Sequence, residues 1–224
     1  MPKTRFVFSI AVAALLVATP AMGQLGNFPV LALPAGDADG ATVIGAGWGR
    51  GLNENTGKLN SFGVGVARAM ESVSFGVNGF YVADAGGPDS NEIALGGSIA
   101  YNLPQAVNTS TVNFAIQGGI EWMSPPGGTL LNFPIGLSAR GSTTAGSLEI
   151  PLWIMPRWQW TRFSPDTGDS STDNNFGLST GISGVTEGGW GLGVSYDWTR
   201  VDDGTGTAKL NHHLFGAALF YRLP

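Results

Sequence analysis

Few side chains in this sequence have the type and setting to do chemistry. Two histidines stand together at His212-His213, shortly after an aspartate pair at Asp202-Asp203, and Asp197 lies a little upstream. An imidazole oriented by a carboxylate can activate water, so Asp197 with His212 forms a candidate dyad, although no second matched pair accompanies it. Four other charges interrupt neutral or apolar segments: Glu121, Arg140, Glu149 and Arg157. Cysteine is absent, which excludes thiol nucleophiles, zinc–thiolate sites and iron–sulfur clusters. No GxSxG, HExxH or P-loop pattern occurs. The acidic stretches GDADG and DTGDSSTDNN lack the ligand spacing of a calcium loop. The expectation is therefore no catalytic residue, no metal and no cofactor.

What would position these charges is a set of strands. In TVNFAIQGGIEW, residues 111–122, Val112, Phe114, Ile116, Gly118, Ile120 and Trp122 fall on one face and Asn113, Ala115, Gln117, Gly119 and Glu121 on the other. Strict period-two alternation defines a strand between two different environments. The same pattern recurs at intervals of roughly twenty residues, giving strands over 41–50, 59–69, 72–83, 92–103, 111–123, 130–140, 147–162, 175–185, 189–200 and 210–223. Parity then turns Glu121 and Arg157 to the same side, high on strands separated by one, and Arg140 and Glu149 to that side lower down on neighbouring strands. Asp197 and His212 share it near the ends of neighbouring strands. Charges inside a shared lumen either line a pore and select ions or pair and plug it, and pairing of Glu121 with Arg157 and of Arg140 with Glu149 is the preferred reading. Phe80, Trp153, Met155 and Phe220 also point inward and take up volume.

The second face settles where the water lies. A soluble sandwich exposes Lys, Glu, Arg and Thr opposite its core, whereas here that face is Gly, Ala, Ser, Asn and Gln. Large apolar side chains towards lipid and small polar ones towards a lumen fit both faces at once. Aromatic residues gather at the strand ends, as expected where rings meet headgroups. If the chain starts on the periplasmic side, Trp48, Tyr81, Trp122, Trp160 and Trp198 form an outer girdle and Tyr101, Trp190 and Tyr221 an inner one. Glu54, Asp84, Asp89, Asp166, Asp169, Asp173, Asp202 and Asp203 then sit in outer connections.

The opening MPKTRFVFSIAVAALLVATPAMGQ has a basic start at Lys3 and Arg5, an apolar stretch from Phe6 to Ala18 and the small-residue exit Ala21-Met22-Gly23. Residues 1–23 thus read as a signal peptide cleaved before Gln24, 24–40 as an irregular periplasmic lead-in, and 41–224 as one barrel domain. Charged residues make up only 12% of the chain, and 35 residues are glycine. Outside the signal segment, 9 basic residues face 16 acidic ones, a formal charge of −7, which leaves no footprint for nucleic acid.

The alternating strands and the last segment, from Leu210 to Pro224, resemble the small Gram-negative outer-membrane β-barrel family, the outer membrane protein beta-barrel domain group with its OmpA-like and porin-family members. The resemblance covers residues from about 41 to 224. It implies a transmembrane antiparallel up-and-down β-barrel, all-β, of ten strands with eight as the alternative. Gly216, Leu219 and Tyr221 match the family's C-terminal assembly signal, although the chain ends Leu223-Pro224 in place of an aromatic residue. The implied partners are outer-membrane lipid, lipopolysaccharide and the barrel-assembly machinery, with a monomeric state. The implied role is structural or surface-interacting with at most a narrow pore, and the alternative is a passive channel for small solutes or apolar compounds. The chain also resembles outer-membrane proteases in size class, which makes a rim hydrolase at Asp197 and His212 the remote alternative.

Overall fold

The computed structural model describes residues 41–52, 60–70, 72–83, 91–104, 112–125, 127–202 and 209–223, with backbone alone for 201, 202 and 209. The expected signal peptide and lead-in, and Glu54, Asp84, Asp89 and Asp203, lie outside them. Ten strands follow in chain order: β1 (Thr42–Gly51), β2 (Asn60–Met70), β3 (Val73–Ala83), β4 (Glu92–Asn102), β5 (Val112–Met123), β6 (Gly128–Ala145), β7 (Leu148–Pro165), β8 (Ser171–Thr186), β9 (Trp190–Asp202) and β10 (Lys209–Leu223). Every strand pairs antiparallel with its sequence neighbours, and β10 closes on β1. Closure leaves no edge strand with unpaired backbone, the condition for placing a sheet in hydrocarbon. The ten expected strands are all present, and the eight-strand alternative is excluded.

Strands β6, β7 and β8 run longer than their apolar patterns. Polar stretches such as Ser142–Ala145 and Ser171–Asn174 continue the pairing, because a ladder needs backbone groups and not an apolar face. At the lower end, where β10 finishes, Gly146 (φ 64°) turns β6 into β7 and Gly189 (φ 85°) lies between β8 and β9. The left-handed backbone at these two sites favours glycine.

The pairing also fixes the barrel's girth. Following register partners from Leu223 through Thr42, Arg68, Phe75, Ile99, Gly118, Ile135, Trp158, Phe176 and Arg200 returns to β10 at Asn211, 12 residues from the start. With ordinary strand spacing, ten strands and that stagger imply a tilt of roughly 40° and a backbone radius of roughly 10 Å.

The two faces are as unlike as the alternation demands. Outward lie Val64, Val77, Ile93, Leu95, Ile116, Ile135, Ile154, Ile182 and Leu192, the last 62% exposed. So continuous an apolar belt is not a surface for water; with closure, it is a surface for lipid. Inward lie Val43, Phe80, Val82, Met123, Met155, Leu214 and Phe220, all buried, together with most of the polar side chains discussed below.

Candidate functional site

The lumen's charged centre is built on β7 and β9. Arg157, inward on β7, grips Asp197 on β9 with both terminal nitrogens: Nη1 donates to Oδ2 at 2.7 Å and Nη2 to Oδ1 at 2.7 Å. Nη2 also donates to Thr199 Oγ1 at 2.7 Å, Nη1 to Ser179 Oγ, and Nε to Gln159 Oε1 at 3.2 Å. The hydroxyls of Ser179 and Thr199 in turn donate to Asp197. Arg157 and Asp197 are each 1% exposed. A buried charge is tolerable only when paired and hydrogen-bonded, and here the two forks meet in the bidentate arrangement that guanidinium and carboxylate favour. The strand between them makes this possible. Gly177 is Arg157's register partner on β8, and a Cβ there would lie 2.9 Å from the guanidinium carbon.

This corrects the expected pairing of Arg157 with Glu121. Both acids sit two strands from β7, so parity and strand count do not separate them; the register does. Arg157's row passes through Gly177 to Thr199, leaving Asp197 the next inward residue on β9. In the other direction it passes through Gly136 to Gln117, four residues short of Glu121. Four residues of strand are about 13 Å. Glu121 instead faces its own register partner, Asn132, whose Nδ2 donates to Oε2 at 2.9 Å, and Asn132 Oδ1 accepts from Thr161 at 3.1 Å. Arg157 acts on Glu121 through space while its hydrogen bonds go elsewhere.

The expected Asp197–His212 dyad is also not assembled. Both side chains are inward and buried, but Asp197 stands opposite Leu214 and His212 opposite Thr199. Both Asp197 oxygens are taken up by Arg157, Ser179 and Thr199, so this carboxylate orients a guanidinium and not an imidazole.

Lower in the lumen, Gln117 Nε2 donates to Ser138 Oγ at 2.8 Å, and Arg140 Nη2 to Asn102 Oδ1 at 2.7 Å. Arg140 and Glu149 face inward on paired strands, four register rows apart. Glu149 also acts on Arg222, a buried cation on β10 that the sequence reading did not single out. Ser179, Thr199, Gln159 and Asn132 were missed as well. Their signal was weak: polar residues of inward parity beside a charge.

Glycine on the lumen face has a definite job. A Cβ at Gly191 would lie 2.0 Å from the Phe220 ring, and one at Gly181 would lie 2.7 Å from the Trp153 indole. These glycines are sockets, and the large inward side chains of neighbouring strands fill them.

On the outside, Tyr81, Trp122 and Trp160 are exposed towards the upper end of the belt, with Trp48 and Trp198 half-buried there. The indoles of Trp48 and Trp198 donate to Asn60 at 3.3 Å and Asn211 at 3.1 Å. Tyr101, Trp190 and Tyr221 lie at the lower end, with the rings of Trp190 and Tyr221 4.9 Å apart. On β10, Gly216 faces the lumen and Leu219 and Tyr221 face outward, beside the seam with β1.

No family model and no curated protein matches the sequence. Solved structures do. The N-terminal β-barrel domain of Pseudomonas aeruginosa OprF aligns with 83% of this chain and 98% of its own, at 9% identity and a TM-score of 0.36. Neisserial surface protein A aligns over 83% and 99% at 14% identity with a TM-score of 0.40. The outer membrane protease OmpT from Escherichia coli aligns over 83% and 97% at 11% identity with a TM-score of 0.41. Each of these is a likeness alone; the closed ten-strand antiparallel barrel itself rests on this chain's own strand pairing.

Proposed function

We propose that the protein is a non-enzymatic outer-membrane barrel with a closed lumen, serving a structural or surface-interaction role. The observation that carries this reading is the packing of the interior. Arg157, Asp197, Gln159, Asn132, Met155, Leu214 and Phe220 together span much of the lumen's height, and none is more than 1% exposed. A column of water beside them would leave them open to solvent. A barrel of this radius has little room beyond its side chains, and here tryptophan, phenylalanine, methionine and arginine occupy it. With Asp197 held by Arg157, the carboxylate expected to activate a rim histidine is spent on closing the lumen.

In this reading residues 1–23 direct export, the lower end faces the periplasm and the upper connections face the medium. Planar-bilayer recording of the purified protein tests it, and no steady ion current is expected. A stable current like that of an open porin would replace this reading with the passive channel. An epitope in the 166–170 connection is expected to be labelled on intact cells, since exposed loops accept insertions. One placed at 187–189 should be reached only after permeabilisation, and the opposite pattern would invert the barrel.

A further inference from the structure

The wall of the barrel is interrupted beside Pro134 and Pro156. Pairing of β6 with β5 holds at Glu121–Asn132 and again at Gly118–Ile135, but lapses between them, where Gly119 faces Pro134 and Ile120 faces Phe133. On the other side of β6, pairing with β7 lapses where Leu137 faces Pro156 and Ser138 faces Met155. A proline supplies no N–H to a ladder and is out of place in the middle of a sheet. Residues 133–134 are thus held by β7 alone and 137–138 by β5 alone, inside the belt where Ile116, Ile120, Phe133 and Ile135 are exposed. In hydrocarbon no water satisfies the backbone groups that such a lapse leaves over. Outside the first lapse there is a notch at Gly118, where a Cβ would meet the Pro134 carbonyl oxygen at 3.6 Å and nothing nearer. Inside it, the first inward residue above is Glu121, buried and bonded to the neutral amide of Asn132. The guanidinium that acts on Glu121 through space is gripped by Asp197, so one cation serves two carboxyl groups.

The geometry points to a lateral binding site for a lipophilic primary ammonium, its chain in the notch at Gly118 and its head through the β5–β6 lapse onto Glu121. Three features select that chemistry. The Glu121 carboxylate supplies the negative charge, and a charge-assisted bond to it is stronger than one from a neutral donor. Pro134 brings no N–H to the facing carbonyl of Gly119, whereas an ammonium has three N–H groups to offer. The belt around the notch is apolar, so the tail of the ligand stays in the bilayer while its head enters the wall. A quaternary ammonium would bring the charge without the donors, and an alcohol a donor without the charge. The site rests on the membrane-spanning reading and needs no opening of the lumen to water.

The test places the purified full chain in phosphatidylcholine vesicles with dodecylamine and adds dicyclohexylcarbodiimide, which stays in the bilayer. The reagent activates a carboxyl group, an amine in contact with it forms the amide, and the displaced carboxyl oxygen leaves in the urea. Mass spectrometry of the digested chain is expected to find the dodecylamide at Glu121, about tenfold above any other carboxyl group. Ethanolamine with a water-soluble carbodiimide should leave Glu121 unmodified. Pro134→Val, which returns an N–H to the ladder, and Gly118→Leu, which fills the notch, should each cut the Glu121 adduct about fivefold. An unchanged heat-dependent gel shift separates that loss from a loss of folding. Absence of the adduct from the parent, or an undiminished adduct in the folded variants, would overturn the site while leaving the closed barrel intact. Modification of Glu121 by ethanolamine from the aqueous side would overturn the closed lumen and the lateral route together.

Discussion

Replacing Arg157 by Met and Asp197 by Leu, singly and together, measures what the lumen pair contributes. Each single change leaves one buried charge without its counter-ion. Arg157→Met leaves Asp197 with only the Ser179 and Thr199 hydroxyls as donors. Asp197→Leu leaves the guanidinium without its carboxylate partner, beside neutral acceptors that include Ser179, Gln159 and Thr199. Breaking a buried pair from one side costs about 3–5 kcal/mol, whereas replacing both partners by apolar groups of similar volume is often close to neutral. The double variant should therefore be no less stable than the worse single one, a departure from additivity of about 3 kcal/mol or more. Urea unfolding of the four proteins in phosphatidylcholine vesicles, followed by tryptophan fluorescence, gives the cycle. Additivity within about 0.5 kcal/mol would refute the argument, since it would mean that the two charges are solvated independently and the lumen is wet at their level.

Three further outcomes follow from the same geometry. Arg157→Ala should open a cation-selective current by freeing Asp197 and Asp197→Ala an anion-selective one, read in planar bilayers, while Glu121→Gln leaves selectivity nearly unchanged; if Glu121→Gln gives the larger shift, the pair has been misidentified. Gly191→Ala drives a methyl group into the Phe220 ring and should cost about 1–3 kcal/mol, with Phe220→Leu in the same chain recovering part of it, as measured by urea midpoints; no recovery would place the clash elsewhere. Ile116→Arg puts a charge on the lipid face and should cost about 2–4 kcal/mol near the midplane, in contrast to less than about 1 kcal/mol for Arg50→Ile at the rim; equal costs would mean that the belt does not face hydrocarbon.

The sequence was legible in proportion to how local each question was. Alternation of large apolar with small polar residues needs only neighbours along the chain, so the ten strands and their two faces could be read directly from segments such as SVSFGVNGFYV. The longer reach of β6, β7 and β8 could not, because Ser142–Ala145 and Ser171–Asn174 pair through backbone alone. The choice between Glu121 and Asp197 as Arg157's partner was equally out of reach. Parity places all three on one side of the wall, but relative height depends on the stagger accumulated around a closed sheet, which no single segment encodes. In the sequence the glycines of the second face show only as small residues turned towards a lumen. In the structure Gly177, Gly181 and Gly191 make room for Arg157, Trp153 and Phe220, a relation between strands that only the register reveals.

Those sockets have an engineering consequence. Where a wall position is glycine and the obstruction comes from a neighbouring strand, the bore of the tube is set by a handful of removable side chains, not by the backbone. Shortening Trp153, Met155, Arg157 and Phe220 would widen the lumen beside Gly181, Gly136, Gly177 and Gly191 without altering a single strand pairing. The same ten-strand tube is thus a frame in which the bore can be graded in steps, according to which of the four side chains are cut back.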